Sequence, residues 1–268
     1  LKKHRSGARL GHDTAYDHMF LDGLEDAYEE GRAMGTFAQE TANEYQLTRE
    51  QMDDYSIESL RRANAAIESG AFADEIVPVT VTSRKGETVV DTDEQPSRGK
   101  PDKIPTLRPA FAKDGTITAA TSSSISDGAA AVVLSRESVA NDNGQKPVAK
   151  IVGLAAHAQE PAKFTVAPIG AIEKVLEQAG WSADDVDIWE VNEAFACVAM
   201  FAMRDIGIPH EKINVNGGGT ALGHPIGASG TRILVTLLNA LKQQGKKRGV
   251  ASLCIGGGEA TAVAVEMA

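Results

Sequence analysis

The 268 residues carry 27 Lys and Arg against 37 Asp and Glu, a net charge of −10, with 42 % hydrophobic side chains, 26 glycines and two cysteines. So acidic a balance argues against a general nucleic-acid or anionic-membrane surface, and the apolar content is enough for a sizeable core. Two cysteines without a CxxC pair neither staple a chain of this length nor suggest a metal centre, so a reducing, cytoplasmic setting is expected.

The chain opens on Leu1 in a polar stretch, and no apolar signal-peptide core follows the basic Lys2-Lys3-His4-Arg5. It reads as the start of a fragment or of a processed chain. Residues 34–70 read as helical. Thr48-Arg49-Glu50-Gln51 matches a capping box, after which Met52, Tyr55, Ile57, Leu60, Ala63 and Ile67 recur at roughly helical spacing until Gly70. Residues 76–91 alternate around Arg84-Lys85-Gly86 and predict a hairpin. Residues 93–114, with four prolines and the cations Arg98, Lys100, Lys103 and Arg108, read as an irregular surface loop.

From Thr118 the composition changes. Small residues lead through Asp127-Gly128 into 129–134, which predict an apolar buried strand. Further strands are expected over 148–154, 187–191, 213–215, 250–255 and 260–267, with helices over 168–179, 194–206 and 229–244 between them. This alternation implies an α/β fold, a mixed or parallel sheet covered on both faces. The apolar run over 194–203 is ten residues, too short to span a bilayer and suited to a helix sandwiched between layers.

Three stretches place chemically able groups at strand-to-loop junctions. Cys254 ends a strand and precedes Gly256-Gly257-Gly258, so following N–H groups can face a ligand with no Cβ in the way; the alternative is a buried structural thiol. His224, between Gly223 and Pro225, is held extended ahead of a helix N-terminus that favours developing negative charge. Asn192 sits where a strand meets the apolar helix, the position of a helix cap, and Glu193 beside it either favours the helix dipole or orients a partner. An amide, an imidazole and a thiol so delivered suit oxyanion stabilisation and proton transfer beside a carbonyl. Ser229 lies in no nucleophile elbow, since the GxSxG pattern is incomplete. His4, His12 and His18 show no metal-ligand spacing and read as solvated, and His157 and His210 carry no supporting context.

With Leu107-Arg108-Pro109-Ala110-Phe111, Ser126-Asp127-Gly128-Ala129-Ala130 and Asn214-Val215-Asn216-Gly217-Gly218 added, the chain resembles the thiolase family over nearly its whole length. The resemblance implies a layered αβαβα sandwich. Residues 1–117 would be a loop domain covering coenzyme A, 118–147 the end of the N-terminal core domain, and 148–268 the C-terminal core domain. It implies acyl transfer between coenzyme A thioesters by reversible Claisen condensation, with acyl-CoA and CoA as partners, no permanent cofactor, and a homodimer or homotetramer as the intact protein. His224 would activate a nucleophilic cysteine and, with a water held by Asn192, bind the thioester oxygen. Cys254 would exchange the α-proton, and the Gly256 N–H would serve the second oxyanion hole. Ser123 would meet the pantetheine arm, Arg98 the nucleotide part, and Met34, Phe111, Phe164 and Phe195 the acyl or pantetheine tunnel. The family's nucleophilic cysteine belongs to a region preceding the match to Leu1, so this chain is expected to be inactive alone. A non-catalytic acyl-CoA or lipid-binding remnant is the other reading.

Overall fold

The computed structural model describes residue 7 and residues 10–268, so the basic start and His4 lie outside the described residues. The helical stretch over 34–70 is two helices, α1 (Met34–Glu44) and α2 (Arg49–Glu68). Between them Gln46 takes a left-handed φ of 57°. Thr48 starts α2 as a capping box: its hydroxyl accepts from the Gln51 N–H at 3.2 Å, and its own N–H donates to Gln51 Oε1 at 2.9 Å. The next elements are the hairpin β1 (Val79–Ser83) and β2 (Gly86–Val90), the short α3 (Gln95–Arg98) and α4 (Glu137–Asp142). The C-terminal half runs β3 (Ala149–Ala158), α5 (Ala167–Ala179), β4 (Ile188–Val191), α6 (Ala196–Ile206), α7 (Gly219–Leu222), α8 (Ser229–Gln244), β5 (Arg248–Ile255) and β6 (Glu259–Met267).

The main sheet has the order β3-β6-β5-β4 and is mixed: β3/β6 and β6/β5 pair antiparallel, β5/β4 parallel. Alternation along its strands sorts side chains onto two faces. Trp189, Val250, Cys254, Ala260 and Ala262 pack in one cluster with α5, α6 and α1. Ile188, Ala251 and Val265 face Ile233, Leu237 and Leu241 of α8 on the other side. Helix–sheet–helix is therefore what the described residues contribute to the expected five-layer sandwich.

Three sequence expectations are corrected. Residues 129–134 form no strand, and Val133 and Leu134 are exposed, because no other described segment supplies a ladder for their backbone. Residues 213–215 make a single bridge, Trp189 to Ile213, since Asn214 turns away at φ 47°. The apolar helix begins at Ala196 with Phe195 as its N-cap, so Asn192 is not the cap residue and its amide is free of the helix.

Among the described residues no helix is long and apolar enough to cross a membrane, and no group of three or more His, Cys, Asp and Glu could hold a metal ion.

Candidate active site

The parallel neighbours β4 and β5 end side by side, and an open sheet presents ligand groups beyond such carboxyl ends. The Asn192 N–H donates to the Ser252 carbonyl at 2.9 Å, which fixes the start of the turn leaving β4. Asn192 is 1 % exposed, and its Nδ2 stands 3.5 Å from His224 Nε2. Its Oδ1 is buried without a protein partner. A buried carbonyl oxygen in that state is an acceptor for a water or a ligand N–H.

His224 arrives from the other side. Its N–H donates to the Ser124 carbonyl at 3.0 Å, and it bridges Ile125, so the loop before α8 is stitched to the 122–125 segment. Ser229 Oγ donates to the Pro225 carbonyl at 3.1 Å and lies 2.5 Å from His224 Nδ1. The serine hydroxyl, having given its hydrogen to the carbonyl, accepts from Nδ1–H. That leaves Nε2 as the unprotonated nitrogen facing Asn192. Burial, assisted by the charge of Arg232, pushes the imidazole pKa down to about 4. At neutral pH it is an uncharged base. Sequence reasoning tested Ser229 only as a nucleophile and missed this role; a serine opening the helix five residues after the histidine was the available signal.

Cys254 lies two residues beyond the Val191–Ser252 pair, on the α6 face of the sheet. It is 7 % exposed, and burial pushes its thiol up to about 12. A thiol poised near neutrality required groups that stabilise its anion; the structure supplies only its own backbone, so Cys254 is protonated at neutral pH. Cys197, in α6, is fully buried and pushed up further, first by burial and then by Cys254. Neither thiol is an activated nucleophile.

The remaining expected residues divide into three groups. Met34, Phe164 and Phe195 share one core cluster with Cys254, with Phe111 packed against it. Phe111 meets Phe195 edge-on at 5.9 Å, and a Cβ on Gly256 would fall 3.2 Å from Met34 Sδ. Ser123 uses its N–H and Oγ to donate to the Ala194 carbonyl at 3.0 and 2.9 Å, which ties it to the Asn192 turn and leaves its oxygen able to accept. Arg98 is outside the cluster: its side chain is 70 % exposed and pairs with Glu94 at 3.1 Å. Its helix α3 is nevertheless anchored, because Gln95 bonds both Ser124 and Ser126 at 2.6 and 2.9 Å. A cavity of about 430 Å³ opens beside the His224 loop, between residues 126–130 and 225–228.

Asn192, His224 and Ser123 are thus brought together, and Cys254, Gly256, Met34 and the phenylalanines form an adjoining group. Glu193, left undecided between two readings by the sequence, is fully buried and accepts from Tyr55, Ser59, Asn214 and Thr220. In the sequence Tyr55 stands out only through its helical spacing and Asn214 only through its glycine-rich motif, while Ser59 and Thr220 carry no signal.

The family model for the thiolase C-terminal domain matches residues 145–267, and that for the thiolase N-terminal domain matches residues 1–138. The acetyl-CoA acetyltransferase of Allochromatium vinosum is 46 % identical over 99 % of this chain and 68 % of its own length. The probable acetyl-CoA acetyltransferase of Dictyostelium discoideum is 47 % identical over 98 % and 64 %. Among solved structures, the Bacillus anthracis acetyl-CoA acetyltransferase superimposes with a TM-score of 0.95 at 41 % identity, covering all of this chain and 68 % of that one. The Acat5 thiolase from Ascaris suum, solved in complex with coenzyme A, gives 0.90 at 43 %, covering 98 % and 67 %. The chain spans about two thirds of the length of these relatives. With its α/β fold, it belongs to the thiolase family of acyltransferases.

Proposed function

We propose that this chain carries the oxyanion-binding and proton-transfer part of an acyl-CoA:acetyl-CoA C-acyltransferase, which catalyses reversible Claisen condensation and thiolytic cleavage of 3-ketoacyl-CoA. The observation that carries the reading is the Asn192–His224 contact at the end of β4, next to the Cys254 end of β5. His224 Nε2, once it has taken the proton of a nucleophilic thiol, would donate to the thioester oxygen, and a water held on the unpartnered Asn192 Oδ1 would donate the second hydrogen bond of that site. Cys254 would move the α-proton of the second thioester. Its enolate oxygen would meet the Gly256 N–H.

Ser123 Oγ would accept from a pantetheine amide, Arg98 would meet the nucleotide phosphates, and Met34, Phe111, Phe164 and Phe195 would wall the acyl path. The relative solved with coenzyme A supports a CoA thioester as the substrate class.

Covalent acyl transfer needs an activated nucleophile, and neither Cys197 nor Cys254 meets that need. The 268 residues should therefore fail to cleave acetoacetyl-CoA on their own, yet exchange the methyl protons of acetyl-CoA for deuterium by the Cys254 route. The experiment is methyl deuteration of acetyl-CoA in heavy water, followed by mass spectrometry, for the wild type and Cys254→Ala. Exchange that survives unchanged in Cys254→Ala removes the thiol from the mechanism. Binding of CoA without any exchange favours the non-catalytic acyl-CoA-binding reading.

A further inference from the structure

We infer that Glu193 is a positioning residue whose carboxylate sets the Asn192–His224 contact; what that contact does rests on the function proposed above. A dipole role on α6 is excluded by geometry. Glu193 lies before the Phe195 N-cap of α6, and its carboxylate bonds elsewhere. Oε1 accepts from Tyr55 OH at 2.9 Å and from Asn214 Nδ2 at 2.8 Å. Oε2 accepts from Ser59 Oγ at 2.8 Å and from the Thr220 N–H and Oγ1 at 3.0 and 2.6 Å. No Lys or Arg forms an ion pair with it among the described residues.

These five donors come from three separate parts of the chain. Tyr55 and Ser59 stand one turn apart on the same face of α2. Asn214 is locked to β4, donating to the Val191 carbonyl and accepting from the Val191 N–H, both at 2.9 Å. Thr220 lies in the first turn of α7, which ends at Leu222, two residues before His224. The carboxylate therefore clamps the segment that delivers His224 against the turn that delivers Asn192, with α2 as the backing. Ser59 closes the loop by accepting from the Gly218 N–H at 2.9 Å. The fit is tight, since a Cβ on Gly218 would come within 2.3 Å of the Glu193 carboxyl carbon.

An uncharged, apolar filler would serve stability alone as well, because burying a carboxylate is unfavourable until its hydrogen bonds offset the lost hydration. What a carboxylate supplies and an amide cannot is two acceptor oxygens, each taking more than one donor. In Glu193→Gln the amide NH2 must face donors on one side, so that side opens and the contact between Asn192 and His224 loosens.

The test uses the 268-residue chain and two readouts. Nitrogen-15 spectra of the His224 imidazole report its tautomer and titration midpoint. Acetyl-CoA methyl deuteration reports kcat and KM separately. Glu193→Gln should lose the single Nδ1–H tautomer, move the midpoint toward the ordinary histidine value, and lower kcat at least tenfold with KM within twofold. Val175→Ala, a truncation of a fully buried side chain in α5, provides a destabilised variant in which the His224 spectrum stays as in the wild type. A Glu193→Gln spectrum matching that of Val175→Ala overturns the inference. If Glu193→Gln does not fold, Tyr55→Phe and Thr220→Val each remove one donor, to Oε1 and Oε2 respectively. Both should shift the His224 spectrum in the same direction, and the absence of a shift in both overturns the inference equally. Wild-type protein that exchanges no methyl protons defeats the proposed function, while the His224 spectra still decide the role of Glu193.

Discussion

The depressed pKa of His224 makes folding stability pH-dependent with a definite sign. The imidazole titrates near 6.5 when unfolded and at about 4 in the fold, so between those values the unfolded chain binds a proton that the folded chain refuses. Stability from this group is complete above about pH 6.5 and is lost as pH falls toward 4. The integrated loss between pH 7.5 and 5 is about 2 kcal/mol, from the ratio of proton binding in the two states. Carboxylates also titrate as pH falls, so the measurement is a comparison. Urea unfolding of the wild type and of His224→Gln, followed by the fluorescence of the fully buried Trp189, gives two curves of stability against pH. Their vertical offset is unimportant. The wild type should lose about 2 kcal/mol more than the variant over that interval. Curves that run parallel within 0.5 kcal/mol, roughly the error of such differences, would refute the assignment of His224 as a desolvated neutral base.

The two thiols, the Thr48 cap and the space at Gly35 each give a further expected outcome. With Cys254 pushed up to about 12 and Cys197 beyond it, neither thiol of the native protein should react with a chromogenic disulfide reagent at pH 8, whereas both should react in denaturant; rapid labelling of one native thiol would contradict the burial of that side chain. Thr48→Ala removes one half of a capping box and should cost about 1 kcal/mol, read from the shift of the thermal midpoint. Gly35→Ala should cost more than that, because the added Cβ would stand 2.2 Å from the Phe111 ring, which must then swing away from Phe195; an unchanged midpoint would show that the ring moves freely.

Local patterns were legible in the sequence where local forces decide. The helix over 229–244 is present with those bounds because its apolar spacing, its opening Ser229 and the left-handed Gly245 at φ 63° all lie within the element itself. The capping box at Thr48 and the hairpin around Gly86 are legible for the same reason. The residues 129–134 misled because an apolar, small-residue run reads as a strand whether or not a partner is at hand, and pairing is a property of the neighbour. Asn192, His224 and Cys254 were visible through glycine and proline context. The clamp behind them was not, because Tyr55 and Glu193 are 138 positions apart and Ser59 and Glu193 are 134 apart. No periodicity within either segment encodes that meeting. Glycine at 218 was the one local trace, a residue with ordinary backbone angles whose missing Cβ makes room for the carboxylate.

Burial acts on both candidate acid–base groups and drives them the same way, toward the uncharged form. His224 gives up its proton and Cys254 keeps its own. Moving the proton from the Cys254 thiol to the His224 imidazole in this state is uphill by on the order of 10 kcal/mol, so the resting site does not hold a thiolate–imidazolium pair. In the proposed reaction Cys254 would therefore act more readily as the acid that protonates an enolate than as the base that forms one. Proton abstraction by Cys254 would then draw on the small thiolate fraction that this apolar region allows. The methyl-exchange rate should for that reason climb about tenfold per pH unit between 7 and 9 after subtraction of the Cys254→Ala background. A plateau already reached at pH 7 would show that ligand binding, rather than the protein framework, sets the basicity of Cys254.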